Sequence, residues 1–377
     1  MFKKDIRNFQ LEIVFFNIRF LIISETLNSK QTAAPLSLMS AISVATCSRC
    51  KNQAIVYQRY SGVHLCHRHL ADSIRRRVSK TLREQLKLPK NALREDGSPS
   101  VILLCISGGK DSAVLLDMMV RFLGPRRDIE LVAGSVDEGI DGYRAPSLEK
   151  ALELASNHNI RVETISYPEL SFERMDKIVE MMPDFSAAHK DADGLKACSY
   201  CGVFRRQGLN ALAERVGADW MALGHNLDDM AQTILMNLQK GEIDRTIRLA
   251  PHTWAPVDGL IPRIVPLRWI PEQEIHAYAK GEELPIYHGD CPYAPGALRQ
   301  RSREMIARLE ADVPGSRHGL LHSMDSIREL QIEAKGGHLS TEWATERMHK
   351  CEACGEVSSQ SLCQACIMRQ WLNEKED

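Results

Sequence analysis

Residues 105 to 112 read Cys-Ile-Ser-Gly-Gly-Lys-Asp-Ser, closing the apolar run Val101 to Ile106 and opening a helical stretch that carries Ala113 to Met119. A strand that feeds a glycine turn and then a helix is a phosphate cradle. Gly108 and Gly109 let the backbone approach an anion with no Cβ in the way, and the amides that open the helix point at it. The spacing is not G-x-x-x-x-G-K-[ST], which excludes a Walker A loop. The same feature constrains the fold. Strands are expected at Val101 to Ile106, Glu130 to Val136, Ile160 to Ser166 and Trp220 to Leu223, alternating with helices near 112–123, 146–158 and 203–216. That alternation predicts an α/β fold, a doubly wound parallel sheet whose ligand sits beyond the carboxyl ends of the strands. From Pro271 onward the chain reads as mostly helical, interrupted by Leu284 to Cys291.

Eleven cysteines are many for a chain of this kind, and nine of them fall in five C-x-x-C or C-x-x-H groups, leaving Cys105 and Cys291 alone. Such grouping points to metal binding rather than disulfides. Cys47 and Cys50, followed by Cys66 and His69, offer four ligands for one zinc ion, with His67 competing for the fourth position. Cys351, Cys354, Cys363 and Cys366 offer four thiolates for a second zinc. These N- and C-terminal zinc-binding modules flank the sheet, and the chain divides accordingly. Residues 1–40 read as a disordered extension or a start placed too early, ahead of Met39; 41–94 as a zinc knuckle with a basic helix; 95–290 as the α/β domain that carries the phosphate cradle; 291–345 as its helical continuation; and 346–377 as the second knuckle. The apolar stretch Leu11 to Ile23 is interrupted by Glu12, Asn17 and Arg19 and is too short to span a bilayer, so no membrane role is expected.

The formal net charge is −1, yet between Cys47 and Arg94 twelve Lys or Arg stand against Asp72 and Glu84 alone. A basic stripe of this kind suits a phosphate-rich partner, with Arg75, Arg76 and Arg77 expected to supply sequence-independent phosphate contacts.

In the middle of the chain, Cys198-Ser-Tyr-Cys201-Gly opens a helix and is followed by Arg205 and Arg206. Helix amides and guanidinium groups bias such thiols toward thiolate, which suits redox or metal chemistry. Cys291 is the available partner, because Cys105 lies within the first strand and reads as core. Three thiolates are one short of a closed tetrahedral site. They fit a zinc ion with a water, or a [4Fe-4S] cluster whose fourth iron stays open to an exogenous sulfur. Gly224-His225-Asn226-Leu227-Asp228-Asp229 follows the strand at Trp220 and precedes a helix beginning around Met230, which places Asp229, like Asp111, where magnesium or a nucleotide would sit. Asp137 to Arg144, after the second strand, reads as a loop facing the base or ribose.

S-G-G-x-D-S at 107–112 is the signature of the PP-loop ATP pyrophosphatases, which cut ATP between the α- and β-phosphates and adenylate a substrate oxygen. Together, S-G-G-K-D-S, D-E-G-I-x-G-Y-R, C-S-Y-C-G-V-F-R-R, G-H-N-L-D-D-x-A-Q-T and P-R-I-V-P-L-R, flanked by two zinc knuckles, resemble the tRNA 2-thiouridine synthetase family from about Cys47 to Cys366. The resemblance implies that Ser107, Gly108, Gly109, Lys110, Asp111 and Ser112 bind ATP phosphates, with Asp137, Gly224 and Asp229 also at the nucleotide. Lys110 and Mg2+ would neutralise charge as pyrophosphate leaves, and Asp229 would assist activation. It further implies that Cys198, Cys201 and Cys291 are catalytic cysteines that carry a [4Fe-4S] cluster or a persulfide, and that both terminal groups bind Zn2+. The implied activity is ATP-dependent sulfur transfer to C2 of a tRNA uridine in the cytoplasm, by a homodimer supplied with sulfur from a ubiquitin-like carrier. The C-G-V-F-R-R wording, with Arg205 where the T-loop enzymes have Lys, is closer to the wobble-uridine branch. Thiolation of a T-loop uridine or of cytidine by the same chemistry, and a lysidine-type ligase, are the alternative enzymes. A non-catalytic zinc module that binds RNA is opposed by the intact loop and the three central cysteines.

Overall fold

At the centre of the sheet is β3 (Ser100–Cys105), buried along nearly its whole length because it is apolar toward both faces. In the computed structural model, which describes residues 45–252, 259–295, 298–334 and 348–373, all within the compact unit 44–377, β3 pairs in parallel with β4 (Ile129–Asp137) and β6 (Trp220–Ala222). The edges are β5 (Arg161–Ser166) and β7 (Arg263–Ile264), giving the order β5-β4-β3-β6-β7 with every pairing parallel. The four expected strands are present within a residue or so of their expected bounds. The two-residue β7 carries no strand signal in the sequence, and Pro262 beside it, lacking an N–H, confines it to an edge. The expectation for residues 1–40 lies outside the described residues.

Period-two alternation along β3 sends its side chains to two cores. Ile102 and Leu104 pack with α1 (His67–Leu86), α2 (Lys110–Leu123) and α8 (Glu272–Gly281), among them Ile74, Val114 and Ile275. Val101 and Leu103 face the other way, into a cluster with Ile178 of α4 (Met175–Ala188) and with Phe204 and Leu212 of α5 (Ala197–Arg215). Both faces are thus covered. The remaining crossovers are α3 (Arg144–Asn157) and α6 (Leu227–Gln239), and α9 (Leu298–Asp312) and α10 (Ser316–Ala334) pack on α6. The helix expected at 203–216 begins at Ala197, which places Cys198 and Cys201 inside its first turns. The helix expected from about Met230 begins at Leu227, because Asn226 and Asp229 form a reciprocal capping box at its start.

Two of the three arginines expected to meet phosphates, Arg75 and Arg77, do not face solvent, although Arg68, Arg76, Lys80 and Arg83 on the same helix do. Leu70, Ile74, Val78 and Leu82 recur every four residues and seat one side of the helix on the core, which turns Arg75 and Arg77 toward α8. Arg75 Nη2 lies 3.1 Å from Glu282. Arg77 pairs with Glu274, which is fully buried and also accepts a 2.7 Å hydrogen bond from Tyr60, and Arg77 donates to the Trp269 carbonyl at 3.2 Å. Of the three, only Arg76 is exposed. Arg77→Ala is therefore expected to act on stability: it strands the buried Glu274 carboxylate and should cost about 3 kcal/mol in chemical denaturation. A full-stability Arg77→Ala protein with a flattened salt dependence of RNA binding would return the stripe to the surface role.

Candidate active site and metal centres

The loop after β3 folds back on itself. Ser107 N–H donates to Ser112 Oγ at 3.2 Å, and Ser112 Oγ donates to the Gly109 carbonyl at 2.9 Å, so the serines that end the motif fix its shape. Gly108 has φ +87°, and a Cβ there would stand 1.9 Å from the carbonyl oxygen of Ser147 in α3. That glycine is demanded by the fold. Gly109, the N-cap of α2, has φ −85°, and a Cβ there would meet nothing nearer than Ser107 Oγ at 3.8 Å. The fold leaves Gly109 free, and the open space over the first amides of α2 is where an anion fits.

Around the loop, Lys110 Nζ lies 2.9 Å from Asp111 Oδ2 and 2.8 Å from Glu272 Oε1. Burial works against its charge, but the carboxylates of Asp111 and Glu272 outweigh burial and hold the ammonium above its ordinary range. Asp111 is raised, by burial first, with Lys110 only partly offsetting it and Asp229 adding repulsion. Asn226 Nδ2 donates to Asp111 Oδ1 at 2.9 Å, which ties the G-H-N-L-D-D segment to the loop, and a Cβ at Gly224 would stand 3.3 Å from the Asp111 backbone. Asp229 caps α6 with one oxygen and accepts from Arg299 Nη1 at 3.0 Å with the other. Asp137 accepts from Gly139 N–H at 2.9 Å and lines an open cleft at the carboxyl ends of β4 and β5 with Arg144 and Arg174. Glu272 and Arg299 were not among the expected site residues; they arrive from helices with no motif of their own, and no sequence signal marks them.

Cys201 and Cys198 lie on the same side of the sheet's carboxyl end, in the first turns of α5, with Cys291 in the loop after α8. Cys198 Sγ is 3.7 Å from the Tyr293 carbonyl, and Tyr293 is in turn anchored by a 2.6 Å bond to Asp176, which fixes the Cys291 loop over α5. Arg205 Nη2 donates to Cys201 Sγ at 3.1 Å, and Tyr167 OH donates to the Cys201 carbonyl at 3.0 Å. The expected bias toward thiolate is not found at Cys198, and Cys291 shifts the same way. Burial raises both thiols, and the neighbouring cysteines add repulsion at each. Three thiols that repel one another as thiolates suit a cation that removes their protons. The three sulfurs do not all lie within 4.8 Å of one another, unlike the two terminal groups. On a single ion the ligands crowd together, whereas on a cubane each thiolate takes its own iron, so the wider set fits a cluster better than a zinc. Cys105 belongs to the second core, as expected, its thiol pushed up to about 12 by burial.

Both terminal groups have the geometry of closed tetrahedral sites. Cys47, Cys50, Cys66 and His69 place their ligand atoms within 4.8 Å of one another, as do Cys351, Cys354, Cys363 and Cys366. Sulfur separations of 3.7 Å for Cys50 and Cys66 and 3.6 Å for Cys354 and Cys363 compare with about 3.8 Å around a tetrahedral zinc with bonds of ~2.3 Å. His67, the rival ligand, instead lies 3.3 Å from Glu282. The first group is carried by the hairpin of β1 (Val56–Gln58) and β2 (Val63–Leu65) and by the start of α1. The second is carried by β8 (His349–Lys350), β9 (Val357–Ser358) and the helix Gln364–Asn373, which lays Met368, Trp371 and Leu372 into the second core. Trp371 meets Tyr200, the residue between Cys198 and Cys201, edge-on at 6.5 Å, and Gln207 of α5 reaches Cys354.

The PP-loop domain family matches residues 78–308, and the N-terminal LIM domain of the 2-thiouridine synthetase TtuA matches residues 46–71. The chain is 35% identical over 329 residues to the tRNA 2-thiolation protein NcsA of Haloferax volcanii, covering 85% of this chain and 97% of that one. The chain belongs to the tRNA 2-thiolation family of PP-loop proteins. The family extends to animals: cytoplasmic tRNA 2-thiolation protein 1 of Xenopus laevis is 36% identical over 273 residues, covering 71% of this chain and 72% of that one. Among solved structures, the U34-tRNA thiolase NcsA from Methanococcus maripaludis with its [4Fe-4S] cluster superposes with a TM-score of 0.67 at 25% identity, over 87% of this chain and 96% of that one. Among the described residues no helix is long and apolar enough to cross a membrane.

Proposed function

We propose that this protein is an ATP-dependent sulfurtransferase that converts the wobble uridine of tRNA to 2-thiouridine. The observation that carries the reading is the convergence, at one end of one sheet, of the Ser107 loop, the Asp229 segment and three thiols, in a chain whose relatives bear the name of tRNA 2-thiolation. The wobble position follows from the name of the Methanococcus maripaludis thiolase and from Arg205 in the C-G-V-F-R-R segment.

The C2 carbonyl of uracil is a poor electrophile, because direct replacement would expel oxide. Attack of the C2 oxygen on the α-phosphorus of ATP forms an O–P bond, breaks the bridge to the β-phosphate and releases pyrophosphate. Sulfur then bonds to C2, the C2–O bond breaks, and AMP leaves. In this scheme the amides after Gly109 orient the phosphates, and Lys110 offsets the charge on the departing pyrophosphate. Asp111 and Asp229 are the carboxylates that would hold Mg2+, which neutralises the same charge. Cys198, Cys201 and Cys291 would hold a [4Fe-4S] cluster, whose open iron supplies a seat for the incoming sulfur. The terminal groups would hold Zn2+, and the segments 41–94 and 346–377 then act as braces on the ATP-cleaving body at 95–290 and its continuation at 291–345. A ubiquitin-like sulfur donor, a homodimer and a cytoplasmic setting complete the reading on family grounds.

Nucleoside mass spectrometry of tRNA from cells lacking this protein, mapped to position, tests it. The expected result is loss of 2-thiouridine at the wobble position alone. Loss at a T-loop uridine, or of 2-thiocytidine, would reassign the substrate. The zinc assignment has its own check. Cys354→Ser is expected to halve the zinc content measured by elemental analysis and to lower the thermal midpoint by several degrees, because the helix that covers Tyr200 loses its anchor. Unchanged zinc content would remove the second ion from the protein.

A further inference from the structure

Glu138 is a carboxylate with 3% exposure that the reaction scheme does not use. It sits in the D-E-G-I turn after β4, and two guanidinium groups close on it from different elements. Arg205, one turn along α5 from Cys201, places Nε 2.7 Å from Glu138 Oε1 while Nη2 donates to Cys201 Sγ at 3.1 Å. Arg144, at the start of α3 and 4% exposed, places Nε 3.1 Å from Glu138 Oε2, an ion pair not aligned as a hydrogen bond. The same guanidinium donates from Nη1 to the Ser107 carbonyl at 3.2 Å and from Nη2 to Ser135 Oγ at 2.5 Å. An unbroken line of contacts therefore runs from the first residue of the ATP loop to a sulfur of the central trio.

Packing gives no reason for this arrangement. Val136 and Ile140 on either side of Glu138 are buried among apolar neighbours, and an apolar side chain would fill the same space without the desolvation that the buried pair Glu138 and Arg144 carries, with Arg205 reaching in from the surface. What the trio adds is registry: the planar forks of Arg144 and Arg205 have one orientation each while Glu138 holds both. The two arginines also leave the trio with one excess positive charge, directed at Cys201.

We propose that Glu138 is a positioning residue that couples the ATP loop to the sulfur centre, holding Arg144 on the Ser107 carbonyl and Arg205 on Cys201 Sγ, so that nucleotide in the loop alters the hydrogen bond received by that sulfur. The proposal rests on the reading of Cys201 as a ligand of the sulfur-carrying centre. Hydrogen bonds to ligand sulfurs set the electronic properties of an iron centre, so the coupling has a spectroscopic readout.

The experiment uses the full-length protein, purified without oxygen and with its iron measured, and records the electron paramagnetic resonance spectrum of the reduced centre with and without a non-hydrolysable ATP analogue. The natural protein should show an analogue-dependent change. Glu138→Gln should bind the analogue within about twofold of the natural affinity, lose the spectral change, and form 2-thiouridine with kcat about tenfold lower at unchanged KM for ATP. Arg144→Lys keeps a positive charge beside Glu138, but one ammonium cannot serve Glu138, Ser107 and Ser135 together, so it should lose the change as well and keeps the test in force if Glu138→Gln fails to fold. Retention of the change in either folded, iron-bearing variant overturns the coupling, as does its absence from the iron-bearing natural protein. A natural protein that thiolates tRNA without iron overturns instead the reading of the central cysteines, and the two failures are told apart by the iron content.

Discussion

Gly109→Ala is expected to fold as stably as the natural chain and to cleave ATP about 100-fold more slowly. The separation of the two effects follows from the local geometry. At φ −85° an alanine is unstrained, and its Cβ makes ordinary contact with Ser107 Oγ at 3.8 Å, so nothing in the protein resists it. The methyl group would nevertheless stand over the amides that open α2, where the phosphates must come close. Gly108→Ala differs in kind: its Cβ would overlap the Ser147 carbonyl at 1.9 Å with φ at +87°, so α3 or the loop must move and stability falls along with activity. Thermal melts and pyrophosphate release on the two variants check the contrast. Normal ATP cleavage by Gly109→Ala would mean that the anion does not sit on the α2 amides.

Cys291→Ser is expected to lower thiolation by about 100-fold, the upper end of what losing even a ligand's outer-shell support costs, while leaving zinc content unchanged. A hydroxyl is a far poorer ligand for iron than a thiolate, and Cys291 is the one member of the trio held outside α5, on the loop that Tyr293 ties to Asp176. The Ser107 loop hangs from β3 and is walled by α3, so ATP cleavage should survive and pyrophosphate should form without thiolated product. Iron and labile-sulfide assays beside nucleoside analysis decide the matter. Full thiolation by an iron-free Cys291→Ser protein would place the sulfur chemistry elsewhere.

Local chemistry made much of this molecule readable in advance. β3 shows itself because a strand buried on both faces must be apolar throughout, and the two terminal ligand sets show themselves because x2 spacing brings paired ligands to one ion. Residues that act through distant partners stay hidden. Glu272 and Arg299 reach Lys110 and Asp229 from helices after the sheet, and nothing in their own neighbourhood marks them. Arg75 and Arg77 mislead for the opposite reason: a run of arginines looks solvated until the periodicity of Leu70, Ile74, Val78 and Leu82 fixes which side of α1 is inward, and the carboxylates that receive them lie some two hundred positions later. The extent of α5 is half legible: the C-x-x-C reads as a helix start, yet the helical stretch reads as 203–216, because cysteine and glycine are weak helix formers and the contacts of Tyr200 and Phe204 with the second core carry the helix over them.

The seating of Trp371 against Tyr200 sets an order of manufacture. During synthesis the chain folds from its beginning, and the sheet, the Ser107 loop and α5 are all complete well before residues 351–373 leave the ribosome. Until then Tyr200 and its neighbours present an open apolar face beside Cys198 and Cys201. A newly made molecule is thus able to fold its half with the Ser107 loop first, and gains a finished floor beneath Cys198 and Cys201 only once the helix Gln364–Asn373 is in place. On the proposed assignment of zinc to the last four cysteines and a cluster to the central three, cells short of zinc should accumulate molecules that fail in iron loading although Cys198, Cys201 and Cys291 are intact.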